Sequence, residues 1–180
     1  MQITVVRPYL VESKPATEWL LGAPVQKVSP CRAHGIMQLV IGNALRVWAK
    51  GRGDVASDWR IWVQPQKEYA RYLVPDLAYI SYDRLPPGSD EAVEEPHVAP
   101  NVVVEILSPG DRNVIIHHKI AVYLQSGTEL VALVDPIART CALHDCEREQ
   151  LLGANAIFEH RALPGFSLDL DAVFAELDRP

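Results

Sequence analysis

Cysteine is scarce in this chain and long apolar runs are missing. Three cysteines in 180 residues, with no Cys-x-x-Cys pair, argue against a disulfide framework and for reduced thiols in a cytoplasm. Cys141, His144 and Cys146 fall close together. Their spacing, with no fourth ligand nearby, suits an ordinary strand and turn better than a zinc site. No stretch of about eighteen apolar residues occurs, so no membrane span is expected. The start, Met1 to Pro8, lacks the basic-then-apolar layout of a secretory signal, and the expected location is cytoplasmic. There is no internal repeat, low-complexity stretch, helix-turn-helix or zinc module, and no dense basic run.

What is present is an ordinary soluble composition, 48% hydrophobic and 22% charged, with enough length for one self-sufficient core. The net charge of −6 discourages a nucleic-acid reading until it is split along the chain. Residues 1–71 carry ten Lys and Arg against five Asp and Glu, whereas residues 72–180 carry seven against eighteen. Arg32, Arg46, Lys50, Arg52 and Arg60 fall in the positive part and could border a phosphate-binding cleft, or simply be solvated faces of a helix and a strand.

Periodicity gives a coarse element order. Thr17 to Leu21 reads as a short helix, and Arg32 to Lys50 as a long one, with Ile36, Val40, Ala44 and Val47 on one stripe and Met37, Ile41, Leu45 and Trp48 beside it. Gly51-Arg52-Gly53 ends it. Val55 to Val63 and Arg71 to Ile80 read as two arms of a hairpin turning at Gln64-Pro65-Gln66-Lys67. A long Pro-rich, acidic connection covers 81–99. A buried strand follows at 101–107, then Ser108-Pro109-Gly110-Asp111 as a turn and helix cap, a helix to about Ser126 stopped by Gly127, and a buried strand at Val131–Val134. Shorter strands are expected near 139–144, 148–152 and 156–162, with a last helix from Ala172 to Leu177. This order reads as α+β: a mixed β-sheet backed by helices, with an added antiparallel meander.

Within that order Glu105 is the residue most out of place. It interrupts Asn101-Val102-Val103-Val104-Glu105-Ile106-Leu107, a strand apolar on both faces, and an unpartnered buried carboxylate costs several kcal/mol, on the order of 3 to 5 when a partner is removed. Asp76 follows Pro75 in a second apolar strand, and Lys119 lies in the apolar helical stretch Ile115 to Leu124. Asp76 and Glu105 on neighbouring strands facing one way could share a cation, and hard oxygen donors suit Mg²⁺ or Mn²⁺ better than Zn²⁺. Such an ion would acidify a bound water and polarise a phosphate oxygen, while Lys119 could orient that water. Taken singly, each has a plainer reading: a strand-end aspartate, a buried ion pair with an arginine, a lysine snorkelling to solvent.

Three blocks carry a resemblance. Pro75-Asp76-Leu77-Ala78-Tyr79-Ile80, Ala99-Pro100-Asn101-Val102-Val103-Val104-Glu105-Ile106-Leu107-Ser108-Pro109, and Lys119 with Tyr123 and Gly127 at four-residue steps are similar in order and spacing to the Uma-type putative restriction endonucleases of the PD-(D/E)XK nuclease superfamily. Val134-Asp135-Pro136 and Leu163-Pro164-Gly165-Phe166 match the closing elements. The resemblance implies one restriction-endonuclease-like domain over 1–180, a nuclease core at 31–175 after an N-terminal extension at 1–30, Mg²⁺-dependent cleavage of DNA, and a homodimer. It makes Asp76 and Glu105 the metal ligands and Lys119 the lysine moved from the strand to the following helix, Leu107 standing where the superfamily's usual lysine would be. His34 matches a histidine often found at the start of the first long helix and is an accessory candidate, although helix-end histidines commonly face solvent. Three positions depart from the pattern: Ile115 replaces an aspartate, and Val131-Ala132 an aromatic pair. Two other readings stay open: a catalytically inactive nuclease-fold protein that binds nucleic acid or a protein partner, and a phosphoesterase acting on small nucleotides.

Overall fold

The computed structural model describes residues 15–66, 68–88 and 91–179. Its centre is a six-stranded mixed sheet with the order β10-β9-β8-β7-β6-β3. The strands are β3 (Gly53–Ser57), β6 (Leu77–Ser81), β7 (Val102–Ile106), β8 (Leu130–Asp135), β9 (Thr140–His144) and β10 (Glu149–Leu152). Only β7 and β8 run parallel, joined through a helix, and every other neighbouring pair is antiparallel. Helices α1 (Arg32–Trp48) and α4 (Leu170–Ala175) cover one face, and α3 (Asn113–Gln125) covers the other. The α+β architecture follows the element order read from the sequence.

Alternation along β7 explains why the sheet is two-faced. Val102, Val104 and Ile106 pack with Met37, Ile41 and Leu45 of α1. Val103 turns to the opposite core with Ile116, Ile120 and Tyr123 of α3. Side chains at i and i+2 share a face, so Glu105 falls on the α3 side.

Several expectations need correction. Thr17 to Leu21 is not helical: β1 (Thr17–Leu20) pairs antiparallel with β2 (Ala23–Gln26). Leu21 and Gly22, both at positive φ (51° and 76°), make the two-residue turn, whose twist matches that of the flanking strands. The long arm at 55–63 is two strands. Asp58, at φ 48°, breaks β3 from β4 (Ile61–Val63), and β4 pairs with β5 (Arg71–Leu73) in a separate ribbon. The facing arm breaks at the same level, because Pro75 has no N–H to give a ladder, and β6 starts only at Leu77. The stripe on α1 is also rotated: Met37, Ile41 and Leu45 are buried, whereas Val47 is exposed. Asp111 does not cap α3. It accepts from the Ser108 backbone N–H at 2.7 Å, and Arg112 stands at the cap position without a side-chain bond.

Among its described residues the connection at 81–99 contains one short helix, α2 (Glu91–Glu94). At the far end, β11 (Ile157–Phe158) pairs with β12 (Leu168–Asp169), so the third meander strand is shorter than expected. The last helix begins two residues earlier than its expected start and ends in a 3-10 turn at Glu176–Asp178.

Candidate active site

The break at Pro75 positions the first acid. Leu77 pairs with Val104 and Ala78 with Val103, so the same register carried one step further sets Asp76 opposite Glu105. Asp76 Oδ2 accepts the Ile106 backbone N–H at 2.7 Å, which ties its carboxylate to the end of β7. Its Oδ1 is the other polar handle, and Asp76 lines one cavity with Lys27, His34, Glu105 and Lys119.

Lys119 reaches the acids because of its place on α3. Ile116, Lys119, Ile120 and Tyr123 form one stripe toward the sheet, as residues three and four apart do on a helix. The side chain is 3% exposed and does not snorkel. Its Nζ donates to Glu105 Oε2 at 2.8 Å and lies 3.0 Å from Glu18 Oε1. Tyr123, one turn further on, donates its hydroxyl to Glu105 Oε1 at 3.1 Å. Both oxygens of Glu105 therefore have partners, which is what a buried carboxylate requires.

Two residues outside the expected triad complete the cluster. Glu18, buried on β1, accepts the Val74 backbone N–H at 2.8 Å through the same Oε1 that faces Lys119. Lys27, following β2, places its Nζ 2.7 Å from Asp76 Oδ1. The boundary at residue 30 read from the resemblance thus separates Glu18 and Lys27 from the site they join. Glu18 had a weak signal, a charge among Thr17, Trp19 and Leu20 just before a Leu-Gly turn, whereas Lys27 had none, since a lysine between Gln26 and Val28 is unremarkable.

His34 is buried rather than a surface histidine. Its Nδ1 is 3.1 Å from Ser108 Oγ, and its Nε2 is 3.5 Å from Asp76 Oδ1. The structure therefore brings Asp76, Glu105, Lys119 and His34 together. Three of the arginines that could border a phosphate cleft are engaged elsewhere. Arg32 donates to the carbonyls of Leu177 and Arg179, Arg52 to that of Pro164, and Arg60 pairs with Glu95. Cys141 is buried in β9, and among the described residues no three His, Cys, Asp or Glu side chains gather as a metal cage.

Burial and charge act against each other at each group. Burial pushes the Glu105 carboxyl up to about 7, with Lys119 opposing and the charges of Asp76 and Glu18 adding to the rise. Burial would also raise Asp76, but Lys27, Lys119 and His34 together hold it below the usual carboxylate range. Burial would lower Lys119, and Glu105, Glu18 and Asp76 overcome it and keep the ammonium charged. The site thus combines one firmly ionised acid, one acid that titrates near neutrality, and an amine that donates hydrogen bonds rather than accepting protons.

The same arrangement of elements occurs elsewhere. The chain is similar to the crystal structure of a putative nuclease belonging to DUF820 from Anabaena variabilis ATCC 29413, with a TM-score of 0.83 at 22% identity, covering 93% of this chain and 94% of that one. At that identity the likeness establishes a shared fold. The sequence has no match among curated proteins. The family model described as "Putative restriction endonuclease" matches residues 6–171, a span that holds Glu18, Lys27, Asp76, Glu105 and Lys119 alike; the chain belongs to this family, Uma2.

Proposed function

We propose that the protein is a metal-dependent endonuclease of the PD-(D/E)XK type that hydrolyses phosphodiester bonds in DNA. The observation that carries this reading is the buried Lys119 ammonium, 2.8 Å from Glu105 in the cavity that Asp76 also lines. A lysine kept only for solubility would direct its charge to water.

Asp76 and Glu105 are the residues that would hold Mg²⁺ or Mn²⁺. The donor set fits, because Mg²⁺ is commonly held by one or two carboxylates, with water and substrate phosphate supplying the other oxygens. The position facing Asp76 Oδ1 already accommodates a cation, the Lys27 ammonium. When bound, the ion supplies an acidified water and a Lewis-acidic contact to a phosphate oxygen. Lys119, charged and held by two acids, orients donors toward charge developing on the phosphate. Tyr123 fixes the Glu105 carboxylate, and the Ile106 N–H fixes that of Asp76. His34, anchored through Ser108, borders Asp76 and is the accessory group.

A second reading is favoured by one observation. The Lys27–Asp76 contact closes the cluster into a network of internal ion pairs, the arrangement expected of a nuclease fold that binds nucleic acid or a protein without turnover. One assay set separates the two. Purified protein should nick supercoiled plasmid DNA with Mg²⁺ or Mn²⁺ and not with excess EDTA. Asp76→Ala, Glu105→Ala and Lys119→Ala should each lower the rate about 100-fold or more, within the usual range for lost acid–base or electrostatic groups. Equal nicking by all three folded variants would remove the nuclease assignment.

A further inference from the structure

Lys27 stands where a divalent ion would meet Asp76, and nothing in the resemblance assigns it a role. Its Nζ contacts three oxygens: Asp76 Oδ1 at 2.7 Å, the Val74 carbonyl at 2.9 Å and Asp58 Oδ1 at 3.2 Å. Three oxygen acceptors satisfy the three donors of an ammonium. Oxygen-only surroundings are also what a hard divalent cation selects.

The two cations exclude each other on charge and on contact. Within the buried cluster Glu18, Asp76 and Glu105 supply three negative charges when ionised, and Lys27 with Lys119 supplies two positive ones; Asp58 is exposed, and water screens its charge. Exchanging Lys27 for a divalent ion brings the cluster to neutrality, while keeping both leaves an excess positive charge buried, which burial penalises. Asp76 Oδ2 is taken by the Ile106 N–H, so Oδ1, which already contacts Lys27 and His34, would have to serve both. The lysine is built to leave. It follows β2, whose residues are mostly exposed, and it enters the site on a flexible four-carbon stem.

We infer that Lys27 is a tethered cation that occupies the metal position of the resting site, so that divalent-ion binding at Asp76 requires its ammonium to withdraw. Lys27 thereby sets the metal affinity of the site. This rests on the metal-dependent reading above and extends it from the ligands to their competitor.

The test uses the full chain, stripped with EDTA and dialysed. Mn²⁺ is titrated by calorimetry into the unsubstituted protein, Lys27→Met, Lys27→Gln and the double variant Lys27→Met/Asp76→Asn. Both single variants should bind Mn²⁺ at least tenfold more tightly than the unsubstituted protein, and the double variant should lose that binding. Mn²⁺ should also raise the melting temperature of Lys27→Met more than that of the unsubstituted chain. A measurement without substitution guards against misfolding of the variants: acetic anhydride labelling of Lys27, read by mass spectrometry. Lys27 should be protected without metal and label several-fold faster at saturating Mn²⁺. Equal, Asp76-dependent affinity in all Lys27 forms, or Lys27 still protected at saturation, would overturn the role of Lys27 and leave the metal reading standing. No Mn²⁺ binding by any form would overturn both.

Discussion

Glu105 is buried and bonded through both oxygens, to Lys119 and to Tyr123, so a change in its protonation is felt by the fold. Its carboxyl is raised to about 7 from an ordinary 4.5, so between those values the folded protein holds a proton that the unfolded chain has released. A group of this kind favours the fold fully below about 4.5, and its contribution is lost as pH rises through about 7. At roughly 1.4 kcal/mol per pKa unit, the change is on the order of 3 kcal/mol. Denaturant melts across that window should show the unsubstituted protein losing more stability with rising pH than Glu105→Gln, which has no carboxyl to ionise. Parallel pH profiles for the two proteins would show that Lys119 and Tyr123 hold the carboxylate ionised throughout. The residues that could be read from the sequence alone were those that interrupt an apolar pattern. Glu105 and Lys119 each break a run of buried side chains, and burying a charge without function is costly. Glu18 gave only the weak signal of one charge in a short apolar stretch, and Lys27 gave none, because β2 before it is mostly exposed and a charge beside such a strand carries no penalty to notice.

Elements were legible where one face is continuously buried and obscure where the chain changes partners. The helices α1 and α3 and strands β7 and β8 lie close to their expected limits, since their apolar periodicity is imposed by two cores. The two arms at 55–63 and 71–80 each looked continuous because the alternation carries across the break. What divides them is backbone chemistry at two points, the positive φ of Asp58 and the missing N–H of Pro75. The separation has a consequence for the site, because it frees Asp76 from the ladder so that it can bond Ile106. The pairing of β3 with β6 that flanks this break depends on Gly53. A Cβ built there would lie 2.2 Å from the Ile80 carbonyl oxygen and 2.7 Å from the Ser81 Cα. Backbone cannot yield as a side chain tip can, so Gly53→Ala should push the edge strand outward at a cost of about 3 kcal/mol. Urea denaturation reads this directly. Gly35→Ala is the control, since nothing lies within 4 Å of a Cβ at that position of α1 and alanine favours a helix interior over glycine. A Gly53→Ala midpoint no lower than that of Gly35→Ala would mean that β3 tolerates displacement from the sheet.

At the scale of the whole molecule the question is how a chain of net charge −6 would hold a polyanion. Splitting the charge along the sequence suggests a basic half, but folding disperses it. Arg32 and Arg52 fasten α1 to segments near Leu177 and Pro164, Arg60 is neutralised by Glu95, and Lys27 lies inside the acid cluster. Of the described residues lining the cavity, Arg112 is the exposed cation, and Lys27 joins it when it withdraws. Each phosphate neutralised contributes about −0.9 to the slope of log affinity against log salt on duplex DNA. Two such contacts give a slope of about −2. Fluorescence anisotropy with a labelled duplex and Lys119→Ala, titrated from 50 to 300 mM salt (roughly the range in which counterion release governs affinity), measures this number. A shallow slope fits a site that grips the scissile phosphate and its neighbour while recruitment to DNA depends on something besides this surface. A slope of about −5 or steeper would mean that a further basic surface engages the duplex, and Arg46 and Lys50, both exposed near the C-terminal end of α1, would be the first to substitute. If Arg46→Ala and Lys50→Ala each flatten that slope by about one without altering cleavage of a short oligonucleotide, α1 is the DNA-docking face. If both variants keep the steep slope, the phosphate contacts that produce it lie on a basic surface other than the C-terminal end of α1.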